Sequence, residues 1–257
     1  MIPRMTIPIT ELRKFYDMFK VFKLETQIQV AHDFSRTKTN QQKFVDVVNR
    51  SVKQFATYDN QVEHFYPPDP KRKSLFPTSL KGAFMNGEDA ITTIRDVNWA
   101  SMARPKLTYL DREIAPRRTT RSEFDAGESA RNSGAGGVDL VAWDIEQDIP
   151  FIGEIKTITD SNAFYALVQV LTYYSELSTP SQIERCNTHN LFKRELDADQ
   201  KFALGIIFCD FNEREPLHRA DLLFAKKIAT HVVSQIEQIQ SISFLNMEKP
   251  FTAFEEL

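Results

Sequence analysis

Two cysteines in 257 residues, Cys186 and Cys209, are too few for a disulfide framework or for a four-thiolate zinc or iron–sulfur site. Cys209 lies inside FALGIIFCDF and reads as a buried apolar side chain. No apolar run approaches the ~20 residues needed to cross a bilayer. The opening stretch MIPRMTIPITELRKFYDMFK carries too much charge for the apolar segment of a secretory signal. The expectation is therefore a cytoplasmic protein that does not engage a membrane. A basic excess is missing as well. With a formal net charge of −3, any polyanionic partner has to be held by a local patch. Two stretches qualify: residues 104–121, RPKLTYLDREIAPRRTTR, where six basic residues face only Asp111 and Glu113, and the run Lys71-Arg72-Lys73. Taken alone, each reads more readily as a solvated face. The histidines at 32, 64, 189, 218 and 231 show no metal-ligand spacing, and GAGG lacks the lysine and Ser/Thr of a phosphate loop.

What is present is the balance of a globular protein, 42% hydrophobic and 26% charged, in a chain long enough to bury a sizeable core. ITELRKFYDMFKVF and NQQKFVDVVNRSVKQFA place apolar residues at helical intervals. The proline-rich, basic stretch YPPDPKRKSLFPTS follows and reads as a connection. The expected division is a helical N-terminal segment or accessory region over residues 1–75 and an α/β domain over residues 76–257. Within the latter the pattern predicts a helix at 89–97 and strands at 106–114, 138–144 and 150–157. A helix over NAFYALVQVLTYYSEL, a strand KFALGIIFCDF and a last helix HRADLLFAKKIATHVVSQIEQIQ complete it. The order is that of an α/β domain with a mixed central sheet flanked by helices.

One place in this pattern carries unusual chemistry. Glu154 and Lys156 alternate with Ile155 on a strand and so point to the same face. If the polar link 145–148 joins an antiparallel hairpin, Asp144 lies opposite Ile149. Counting back then sets Asp139 opposite Glu154, with Cβ atoms about 5 Å apart. Two carboxylates that close repel unless a proton or a cation intervenes. Hard divalent cations take oxygen ligands and often need only one or two protein carboxylates. A metal on Asp139 and Glu154, with the Lys156 ammonium beside it, suits hydrolysis of a phosphate ester. The plain alternative is an exposed strand pair with Asp139 at a turn. Gln169 and Tyr173 lie four apart on one helix face.

GGVDLVAWD, PFIGEIKT and VQVLTYY, in that order, resemble the core of the PD-(D/E)xK nuclease superfamily, and within it the RecB-like branch with its Q-x-x-x-Y helix. The matching positions are Asp139, Glu154, Lys156, Gln169 and Tyr173, and the likeness covers roughly residues 81–212. Val138 stands where the family has its nominal proline, and the two cysteines rule out the cluster-bearing subtype. The resemblance implies a restriction-endonuclease-like core of αβββαβ order. It implies Mg²⁺, with Mn²⁺ able to substitute, on Asp139, Glu154 and a further acidic residue, for which Glu88 in the preceding helix is the candidate and Glu128 and Asp144 are weaker ones, Asp144 because it belongs at the far end of the hairpin. It further implies a metal-dependent nuclease acting on nucleic acid, DNA foremost, with self-association into a homo-oligomer left open. The competing reading is a catalytically inactive nuclease-fold module that binds nucleic acid or protein. A third is the same metal site acting on RNA or another phosphate ester.

Overall fold

The computed structural model describes residues 12–61, 64–65, 107–111, 119–120, 138–156, 162–188, 190–192, 194–209, 211–247 and 255–257. In chain order these form α1 (Leu12–Phe19), α2 (Leu24–Ser35), α3 (Lys38–Gln61), β1 (His64–Phe65), β2 (Leu107–Asp111), β3 (Thr119–Thr120), β4 (Leu140–Asp144) and β5 (Ile149–Lys156). They continue with α4 (Ala163–Leu177), α5 (Pro180–Thr188), β6 (Phe202–Cys209), α6 (Pro216–Gln235), β7 (Ile239–Met247) and β8 (Glu255–Glu256). The expected helix at 89–97, the proline-rich connection, most of the 104–121 stretch, the 71–73 basic run, Glu88 and Glu128 lie outside the described residues.

A mixed six-stranded sheet in the order β2-β4-β5-β6-β7-β8 organises the protein. β4 runs antiparallel to both of its neighbours, β2 and β5; β5, β6 and β7 are parallel, and β8 returns antiparallel. The β4–β5 hairpin is set by its link. The Asp144 carboxylate accepts N–H bonds from Glu146 and Gln147 at 2.9 and 3.0 Å, and Asp148 adopts the left-handed conformation at φ 56°. That turn pins Asp144 opposite Ile149, and the ladder runs back to Leu140 opposite Gly153.

Strands β5 and β6 are nearly continuous apolar runs, as central parallel strands covered on both faces must be. Phe151 points the Cζ end of its ring at Gly205 of the neighbouring strand. An added Cβ at Gly205 would sit 2.1 Å from Phe151 Cζ and 2.9 Å from Cε2. Gly205→Ala is expected to cost about 2 kcal/mol, the range of core overpacking, and Phe151→Leu in the same chain should recover much of it. Urea unfolding of the single and double variants measures both.

Helix α4 is buried on every side, which fits a helix apolar around its whole circumference. Its first turn is held from two directions. Asn162 accepts the Tyr165 N–H at 2.7 Å as the residue before the helix, and Asp221 of α6 accepts the Phe164 N–H at 3.1 Å. Helices α1 and α3 pack on α4, and α2 on α6. Phe15, Phe19, Phe34 and Phe44 from the three N-terminal helices surround Phe164 with ring centroids 5.3–6.3 Å from it. Polar bonds reinforce this: Ser51 accepts from the Leu12 N–H at 2.9 Å, and Asn162 donates through its amide to Gln27. Residues 12–61 thus share one core with α4 and α6.

The chain leaves the expected pattern in several places, and a separate helix, α5, begins at the Pro180 that reads as a stop. The last helix ends at Gln235 where the pattern carries it to Gln240, and Ile239 to Met247 form β7, which pairs with the full length of β6. Helix α2 joins the two N-terminal helices that the periodicity marks. No helix among the described residues is long and apolar enough to cross a membrane.

Candidate active site

Along β5 the side chains of Ile152, Glu154 and Lys156 share one face. Ile152 belongs to the core that includes α4, and Lys156 reaches α4 directly, so this is the face under the helix. Glu154 and Lys156 are both only 4% exposed. Two opposite charges so deep must compensate each other, and the Lys156 Nζ lies 3.1 Å from Glu154 Oε1. The same ammonium donates to the Gln169 side-chain oxygen and lies 4.8 Å from the centre of the Tyr165 ring.

Asp139 enters from the adjacent strand end. Its Oδ2 accepts the Ile155 N–H at 2.9 Å, so a side-chain carboxylate stands where β4 would next offer a backbone carbonyl. This fixes Asp139 beside Glu154, one step past the Leu140–Gly153 pair. The register counted from the four-residue link is the one observed.

Tyr173 shares the face of Gln169 one turn further along α4. Burial, above all, holds its phenol well above the usual 10. The negative charges of Glu154 and Asp139 and the neighbouring Tyr16 push the same way, and Arg13 opposes them. Two consequences follow. Tyr173 stays a neutral hydroxyl that can donate a hydrogen bond but cannot serve as a base near neutral pH, and its hydroxyl is within electrostatic reach of both carboxylates. Asp139, Glu154, Lys156, Gln169 and Tyr173 are therefore gathered around one point.

Asp144 is not part of this group. It caps the hairpin turn, taking a further 2.7 Å bond from the Gln147 side chain. His231 faces Gln42 at 3.3 Å, a helix-to-helix contact away from the site. Cys209 is buried in β6.

Four neighbours escape the sequence patterns, the first being Tyr165 itself, whose ring lies against Lys156. Tyr16 of α1 stacks on Tyr165 with centroids 5.5 Å apart and planes 9° from parallel. The Arg13 guanidinium lies 5.2 Å from the Tyr16 ring, and its Nε is 3.9 Å from Glu176 Oε1. Glu176 extends the polar stripe of Tyr165, Gln169 and Tyr173 by another turn. Of that stripe the spacing marks Gln169 and Tyr173 alone, and its partners on α1 lie some 150 residues away in the chain.

Among the described residues no three His, Cys, Asp or Glu side chains form a group able to hold a metal ion. The donors that do converge, Asp139 and Glu154, are oxygen-only, which is the chemistry a hard divalent cation prefers, and such an ion needs only one or two protein carboxylates. Comparison with protein-family models, with curated proteins and with solved structures finds no match to this chain.

Proposed function

We propose that the protein is a divalent-metal-dependent nuclease that hydrolyses phosphodiester bonds, DNA being the foremost substrate, on a restriction-endonuclease-like core. The observation that carries this reading is the convergence of two adjacent-strand carboxylates with a lysine two residues beyond one of them, beneath a helix that presents Gln169 and Tyr173 to the same point. Asp139 and Glu154 would hold Mg²⁺ or Mn²⁺, with Glu88 the candidate for a third ligand. When bound, such an ion lowers the pKa of a coordinated water and polarises a phosphoryl oxygen.

The side chains do the rest. Lys156, fixed between Glu154 and Gln169, would orient the attacking water and balance the charge that grows on the phosphoryl oxygens as one P–O bond forms and another breaks. Tyr173, kept protonated, would donate to an oxygen of the backbone phosphate. Its raised pKa means this donor is retained at alkaline pH.

Calorimetry with Mn²⁺ on the wild type, Asp139→Ala and Glu154→Ala, followed by incubation with linear and circular DNA, tests the proposal. The expected result is metal binding and cleavage in the wild type, and loss of at least about 100-fold in cleavage for either variant. Equal cleavage by wild type and Asp139→Ala would remove the assigned roles. A wild type that neither binds Mn²⁺ nor cuts would leave an inactive nuclease-fold module as the better reading.

A further inference from the structure

Lysine carries a compact charge on a flexible four-carbon stem, so a catalytic role demands that its head be held. Glu154 and Gln169 hold it at two points. A third point is the face of Tyr165, one turn before Gln169 on α4. The ring does not stand alone. Tyr16 is stacked on it, Arg13 lies against Tyr16, and Arg13 closes back toward Glu176 on the same stripe of α4. Contacts thus run Lys156, Tyr165, Tyr16, Arg13, Glu176, with Asp139, Glu154 and Tyr173 facing the same space. A cation is drawn to the negative face of an aromatic ring, more strongly where water is excluded. An aliphatic side chain of similar size would fill this space without that attraction.

We propose that Tyr165, backed by Tyr16 and Arg13, is a positioning residue for the Lys156 ammonium, so that helix α1 completes the site. The effect on turnover rests on the nuclease reading, while the placement of the lysine does not. The full chain, labelled with ¹³C at the lysine ε-carbon, provides the direct test. The Lys156 signal, identified by its loss in Lys156→Met, is expected upfield of the other lysines because of the ring current. It should stay upfield in Tyr165→Phe, return to the ordinary position in Tyr165→Leu, and move part of the way in Arg13→Gln.

With linear DNA, Tyr165→Leu is expected to lower kcat about tenfold with KM and Mn²⁺ affinity unchanged, and Tyr165→Phe to stay within about twofold. Adding Arg13→Gln to Tyr165→Leu should cost nothing more, because the chain of contacts is already broken. A Lys156 signal that remains upfield in Tyr165→Leu overturns the proposal, as does a Tyr165→Phe variant as slow as Tyr165→Leu. If the lysine signal follows the ring but the wild type does not cut DNA, the positioning stands and the nuclease reading fails.

Discussion

Lys156→Met is expected to be less stable than the wild type by about 3–5 kcal/mol at pH 8 in the presence of EDTA, and Glu154→Gln/Lys156→Met to regain most of that loss. Glu154 and Lys156 are almost wholly removed from water, and their charges lie 3.1 Å apart. Deleting the cation leaves a carboxylate where water cannot solvate it. Deleting both charges leaves an amide and a thioether of similar volume, and buried ion pairs replaced in this way are often no less stable. Urea unfolding of the two single variants and the double variant measures the pair. A double variant as unstable as Lys156→Met would mean that the pair is not what compensates Glu154.

The same double variant separates folding from chemistry. It should unfold near the wild-type denaturant concentration yet cut DNA at least about 1,000-fold more slowly, since a metal ligand and the positioned cation are both gone. A buried ion pair is weak evidence for stability, because its desolvation cost can exceed its Coulombic gain. On the proposed reading, the pair serves the reaction rather than the fold.

How far the site could be read from sequence depended on the distance over which each contact is determined. The hairpin was legible because its register follows from a four-residue link and a period of two, and those placed Asp139 beside Glu154. Helical spacing put Gln169 and Tyr173 on one face, and the resemblance to a Q-x-x-x-Y helix singled them out. Arg13 and Tyr16 were not marked, since nothing local in α1 distinguishes an aromatic that stacks on Tyr165 from one that packs on Phe164, as Phe15 does. The end of α6 was misread for a related reason. Ile236 and Ile239 keep a three-residue interval across the boundary, so periodicity alone runs the helix on to Gln240. Long-range pairing of Ile239 to Met247 with β6 decides the matter.

Asp221 illustrates a buried charge with a different outcome. It is fully enclosed between α6 and the first turn of α4, where burial drives its pKa from 3.8 up to about 7, while the N–H groups of Phe164 and Ala163 pull it down. A carboxyl whose folded pKa lies above its unfolded value binds its proton more tightly in the folded chain, so its stabilising contribution is complete below pH 3.8 and is lost as pH rises toward 7. The interval corresponds to about 4 kcal/mol. Asp221→Asn keeps an oxygen that can accept from the α4 amides and removes the titration. The stability of Asp221→Asn relative to the wild type is therefore expected to rise by about 4 kcal/mol between pH 4 and pH 8 and to level off above pH 7. The constant cost or gain of the amide cancels from this difference, which unfolding curves of the two proteins across the range supply directly. A difference that stays flat would mean that Asp221 keeps an ordinary pKa and that the helix terminus, with its partial positive charge, offsets the burial in full.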